Sequence, residues 1–184
     1  MLIVLCSFGF SLSYANEANF SSQDKISVEF KMVCEGAQSD CIKATMQNNY
    51  EEIFVSNNSF LSIEDIASAE VIVKKSEIPD SIKEAIKKSG GKIALKPEPM
   101  VVINLRFNEG GKRKISEITT KNVGKRIAIF IDGKLRIAPK IHEPTTAGEV
   151  SIVGNFAKEE AQSIADRINK TVTQKSVTIA PPLK

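Results

Sequence analysis

Apolar residues alternate with polar ones along residues 26–33, with Ile26, Val28, Phe30 and Met32 on one side. That is the period of a half-buried strand. The spacing then predicts a short helix over 42–48 and a short strand at 53–55, ended by Ser56-Asn57-Asn58-Ser59. Ser62-Ile63-Glu64-Asp65 reads as a helix start, and residues 70–74 (EVIVK) read as a strand. Pro79-Asp80 opens an amphipathic helix over 81–88, closed by Gly90-Gly91, and residues 95–99 form a linker-like break.

The second half of the chain is more regular. Residues 100–107 read as a strand with Val101, Ile103, Leu105 and Phe107 on one face. Asn108 can cap a helix running to about Thr120, with Ile115 and Ile118 inward and Gly124 just beyond its end. Residues 126–131 and 134–137 flank Asp132-Gly133, a strong hairpin signal. A strand at 150–153, a helix over 157–169 and a last strand at 177–180 complete the pattern. Ala157, Ala161, Ile164, Ala165 and Ile168 fall at helical spacing. The order predicts an α+β, two-layer, ferredoxin-like arrangement: a mostly antiparallel sheet, helices on one face, and the hairpin as a decoration.

Composition narrows the class. With 42% hydrophobic and 26% charged residues the chain is globular, and 184 residues suffice for one medium domain. Its net charge of +3, from 25 basic and 22 acidic residues, and its lack of Trp argue against a nucleic-acid partner. Residues 1–15, MLIVLCSFGFSLSYA, carry no charge and end in Ser13-Tyr14-Ala15 before a polar stretch. They read as a signal peptide cleaved after Ala15, too short to span a membrane. The mature chain is therefore expected to be exported, periplasmic and without a membrane span. In such an oxidising compartment Cys34 and Cys41, in the segment CEGAQSDC, are expected to form a structural disulfide.

No constellation for catalysis stands out. His142, the single histidine, would have to serve any Ser-His-Asp or Cys-His arrangement, and its setting in Ile141-His142-Glu143-Pro144 is that of a solvated loop ring. Cysteine and histidine together are too few for zinc. Gly110-Gly111-Lys112-Arg113 stands where a phosphate loop would, without its spacing. Glu159-Glu160 point in different directions on a helix and favour its N-terminus electrostatically. The basic residues Lys112, Arg113, Lys114, Lys121, Lys125 and Arg126 read as a solvated face, with an anionic membrane or acidic protein as the alternative. Neither an enzyme nor a cofactor is expected.

Several blocks in order carry a resemblance: Asn108-Glu109-Gly110-Gly111, Lys121-Asn122-Val123-Gly124-Lys125-Arg126-Ile127, Ile131-Asp132-Gly133-Lys134, Ala138-Pro139-Lys140-Ile141, Gly148, and Ile152-Val153-Gly154-Asn155-Phe156 with Glu159-Glu160-Ala161. Read together, and with Leu61-Ser62-Ile63-Glu64-Asp65 upstream, they resemble the first large periplasmic domain of SecD, the membrane subunit that assists protein export. The resemblance covers roughly residues 50–180 and implies an entry segment over 51–99 and a ferredoxin-like head subdomain over 100–184; the signal peptide (1–15) and the disulfide region (16–50) precede it without a counterpart in that family. It marks Gly124, Asp132, Gly133, Pro139, Gly148, Gly154, Asn155, Phe156 and Ala161 as fold-defining and implies no catalytic residue. Ala157 stands where that family usually has Thr, which removes a helix-capping hydroxyl for which Asn155 would have to compensate. The partners implied are protein: translocating or unfolded polypeptide, or an envelope or Sec complex. The alternative is a periplasmic ligand-binding or inhibitory module that reuses the fold.

Overall fold

The computed structural model describes residues 25–46, 50–75, 79–88 and 99–178. Its strands are β1 (Val28–Val33), β2 (Cys41–Thr45), β3 (Glu52–Ser62), β4 (Ile66–Lys74), β5 (Met100–Phe107), β6 (Ile127–Ile131), β7 (Lys134–Ile137) and β8 (Glu149–Val153). Its helices are α1 (Asp80–Lys88), α2 (Glu109–Lys121) and α3 (Lys158–Thr178). The class is α+β and every strand pair is antiparallel. The strands are divided between two sheets, one of order β2-β3-β1-β6-β7 and one of order β4-β5-β8. The hairpin β6–β7 is built into the larger sheet, because β6 pairs with β1 from Val28↔Ile131 to Met32↔Ile127.

The two sheets share one core. Phe30 of β1 meets Phe107 of β5 edge to face at 5.6 Å between ring centres. Around them lie Ile103 and Leu105 of β5, Ile129 and Ile131 of β6, Ile115 of α2, and Ile164 and Ile168 of α3. The larger sheet also buries its second face: Met46, Ile53, Val55, Ala128, Phe130 and Leu135 form a separate cluster there. Met46 follows β2 and Leu135 lies on β7, so residues from the two opposite edges meet and the sheet must curl. This explains why all five residues of β6 are buried. Arg126 helps close the curl, pairing with Glu51 at 2.6 Å and donating to the Ala138 carbonyl at 2.8 Å.

Several local expectations need correction. The helix expected over 42–48 is strand β2, paired to β3 from Cys41↔Ser56 to Thr45↔Glu52; residues 47–49 lie outside the described residues. Ala44 and Met46 turn inward at period two, toward the second cluster. Strand β3 does not stop at Ser56 but runs on to Ser62, because β1 pairs with its later half, out to Glu29↔Ser62. The helix start at Ser62 is a single 3-10 turn over Ile63–Asp65, closed by a reciprocal bond between Ser62 and Asp65. In the last region Val177 and Thr178 belong to α3, not to a strand; residues 179–180 are outside the described set. Thr171 and Thr173 let the helix pass through a β-branched run by donating to the carbonyls of Arg167 and Asn169, each at 2.8 Å. In α2, Thr119 takes the inward place expected of Ile118, which is half-buried. The closing Gly90-Gly91, residues 95–98 and the signal segment lie outside the described residues.

Candidate protein-binding surface

Asp132 and Gly133 make the β6–β7 turn with φ of +50° and +70°, the pair of positive values that suits a two-residue hairpin. The Asp132 carboxylate also receives Arg167 of α3 at 2.7 and 3.3 Å and the Ser27 amide at 3.2 Å. Gly124 ends the α2 region, donating to Ile141 O at 2.8 Å, and Pro139 O accepts from Ile127 N at 3.0 Å. Gly148 O accepts from Phe107 N at 2.9 Å, joining the start of β8 to the end of β5. At Gly154 an added Cβ would lie 2.6 Å from the Phe156 ring, which is buried and has the Arg136 guanidinium 5.6 Å from its centre. Ala161 is fully buried on α3, and Asn155 is exposed. Cys34 and Cys41 are disulfide-bonded.

The residues weighed for other chemistry are dispersed or occupied. His142 is exposed. Among the described residues no three His, Cys, Asp or Glu side chains gather as a metal site. Gly111 faces Asp65, whose carbonyl would sit 2.4 Å from an added Cβ, and its amide donates to the capping Asn108 side chain at 2.9 Å. That junction is packed against protein. The basic residues do not act together: Lys114 pairs with Asp65 at 2.7 Å, Lys121 with Glu117 at 2.6 Å and Arg126 with Glu51. The hydrogen bond from Lys121 holds the Glu117 carboxyl below its usual range, and the one from Lys175 does the same for Glu64. Glu160 pairs with Arg136 at 2.9 Å.

The smaller sheet offers what these groups do not. Its helical face is covered by α3, with Ala161, Ile164, Ala165 and Ile168 buried. On its other face Met100, Val102, Asn104 and Arg106 alternate along β5. Ile72, Glu70 and Ser68 of β4 lie opposite them on one side, and Val153, Ser151 and Glu149 of β8 on the other. One end of this face is polar: Glu149 accepts from Arg106 at 2.9 Å, and the Asn104 side chain bonds to both Glu70 and Ser151. The other end is apolar: Val102 in its middle is buried at 1% exposure, while Met100 and Val153 at its margin are 38% and 46% exposed. Against the opposite side of β8 lies a cavity of about 160 Å³, walled by Phe30, Ile115, Ile127, Ile129, Ile141 and Val150. That is well below the roughly 300 Å³ at which small-molecule sites begin. The sequence marked Gly148 and Val153 within a motif but carried no sign of this face, because strand pairing assembles it from three separate segments.

An α+β module of two antiparallel sheets around a shared core, the smaller sheet partly open at one end of its outer face, is thus the class that the geometry defines. Residues 84–171 match the family model described as SecDF, P1 head subdomain, and over this segment the chain is SecD-head-like. Protein translocase subunit SecD of Treponema pallidum is 42% identical over 102 residues, covering 54% of this chain and 16% of that protein. SecD of Acidaminococcus fermentans is 44% identical over 64 residues, 35% of this chain and 15% of that protein. Subunit SecDF of Thermus thermophilus is 41% identical over 63 residues, 34% and 9%. The chain thus spans a sixth or less of these relatives. A solved structure of SecDF, a membrane component that enhances protein export, aligns with a TM-score of 0.54 at 23% identity, over 79% of this chain and 62% of that one. At that identity the likeness concerns the fold. Among the described residues no helix is long and apolar enough to cross a membrane.

Proposed function

We propose that this chain is an exported, SecD-head-like module that works in the periplasm by binding protein, in connection with protein translocation. The observation that carries the reading is the match of residues 84–171 to the SecDF P1 head subdomain. The partly exposed apolar residues Met100 and Val153, at one end of the outer face of the smaller sheet, supply a contact surface. Its partners are translocating or unfolded polypeptide, or an envelope or Sec complex. The module is not an enzyme and needs no cofactor.

The test is photocrosslinking in intact cells from a photoreactive residue at Met100 or Val153. Recovery of Sec components, or of many different exported precursors, is the expected result. A single abundant envelope partner unconnected with export, or none, would leave the SecD likeness a matter of fold.

A further inference from the structure

We propose that the outer edge of β8 takes up an extended polypeptide segment as a fourth strand of the smaller sheet, seating one apolar side chain in the cavity beside Val150. This rests on the protein-binding reading above and specifies its mode. The hydrogen bond from Phe107 N to Gly148 O at 2.9 Å sets the phase of the β5–β8 ladder. Bonded and non-bonded pairs alternate in an antiparallel ladder. The pairs Arg106↔Glu149, Asn104↔Ser151 and Val102↔Val153 are then non-bonded ones, and the amides and carbonyls of Glu149, Ser151 and Val153 point away from β5. The same phase turns the Ala69 backbone outward from the opposite edge, β4. There Asn169 takes both groups, accepting from Ala69 N and donating to Ala69 O, each at 2.8 Å. One edge is closed by a side chain. Among the described residues no strand pairs with the outer side of the other.

Edge strands are commonly blunted by Lys, Pro or a bulge. Strand β8, EVSIV, pairs in unbroken register without Lys or Pro, and its Glu149 charge is matched by Arg106 at 2.9 Å. The cavity supplies the second half of the argument. Val150 is its β8 residue, and none of its lining comes from β4 or β5, so it lies beyond β8. On an added strand, the residue opposite Val150 points to the same face as Val150 and into that space. Most of its wall is apolar, the exposed residues Lys140, His142 and Glu143 also line it, and the Thr119 hydroxyl is already engaged with Ile115 O and Thr145 N. About 150 Å³ of apolar cavity accommodates a benzene-sized group. A volume of about 160 Å³ therefore suits one Leu, Met or Phe side chain. A second copy of this chain fits less well. Antiparallel pairing about Ser151 would bring Ile152 opposite Val150, and Ile152 is fully buried in its own core.

The probes are a fluorescein-labelled Thr-Val-Thr-Leu-Thr-Val-Thr peptide and labelled, reduced and carboxymethylated α-lactalbumin as an unfolded protein. Binding is followed by anisotropy, with the whole chain compared against Ser151→Pro. The Ser151 amide faces outward, so proline removes no ladder bond. Both probes are expected to lose at least tenfold in affinity with the far-UV circular dichroism spectrum and a cooperative thermal transition retained, although loss of the Ser151 hydroxyl from Asn104 lowers the midpoint somewhat. N-methylation of the two Thr flanking Leu should abolish peptide binding, whereas N-methylation of Leu should not; this comparison decides the matter if the proline variant folds poorly. Equal binding by wild type and a folded Ser151→Pro overturns the edge assignment and leaves the protein-binding reading standing. Failure of wild type to bind the unfolded protein overturns both. Sedimentation showing a dimer that Ser151→Pro dissociates assigns the edge to a second copy and overturns the proposal.

Discussion

Ala157 occupies the N-cap of α3, since its carbonyl accepts the first helical bond from Ala161 N at 3.0 Å. Its methyl group cannot accept from the amides of the first turn. Asn155 does not compensate: among the described residues its side chain makes no hydrogen bond. Ala157→Ser should therefore stabilise the protein by about 1 kcal/mol. The melting temperature should rise by roughly 2–4 °C for a domain of this size. Differential scanning calorimetry checks this, and an unchanged midpoint would mean that solvent already serves those amides as well as a hydroxyl would. Residue-scale features that depend on neighbours in sequence were legible in this way, including the Asn108 cap, which accepts from Gly111 N at 2.9 Å. The second role of Asp132 was not. Asp-Gly announces a turn, but nothing local announces Arg167, which lies 35 positions away.

At the scale of elements, β5, α1 and the β6–β7 hairpin follow from periodicity and turn chemistry, which are written into contiguous residues. The pairing of β2 with β3 does not. Residues 41–46 form a short run in which helical and strand spacing are hard to separate, and contacts with β3 and the second cluster decide for strand. Asn169 shows the same limit more sharply. On the sequence it is the last residue of an expected helix; in the fold it is a substitute strand for Ala69, reached across 100 residues. Asn169→Ala would leave an amide and a carbonyl on the β4 edge without partners. A cost of about 1–3 kcal/mol is expected if that edge stays shielded. Hydrogen exchange at the Ala69 amide should accelerate, while that of Leu105, which faces β8, should change only with global stability. An unaltered Ala69 rate would show that Asn169 does not protect the edge.

Across the whole molecule, the curl of the larger sheet depends on an unusual path near its start. Strand β1 pairs with the later half of β3, down to Val33↔Val55, and β2 with its earlier half on the opposite side, Ile42↔Val55. The chain must cross from one side of β3 to the other within residues 34–40. It is held there by Cys34 N to Phe54 O at 2.8 Å and Asn57 N to Asp40 O at 2.8 Å. The Cys34–Cys41 bond joins the two ends of this crossing, with the Cα atoms 6.6 Å apart. The cysteine pairing was readable from spacing and compartment, but the crossing it secures was not, since that depends on where β3 lies. Closing a loop of about eight residues removes about 2.5 kcal/mol of unfolded-state entropy in the chain-entropy model. The Cys34→Ser/Cys41→Ser double variant should therefore lose about that much stability in urea, with a shift in midpoint and little change in slope. Loosening of β2 should also reach the second cluster, where Met46 meets Leu135 and Ala138 from the far edge. Amide exchange along β2 and at Leu135 should rise, while Ile103 and Leu105, in the core shared by the sheets, should keep the slowest rates. A uniform rise across both clusters would instead mean that the disulfide acts only through the unfolded chain and that the curl holds without it.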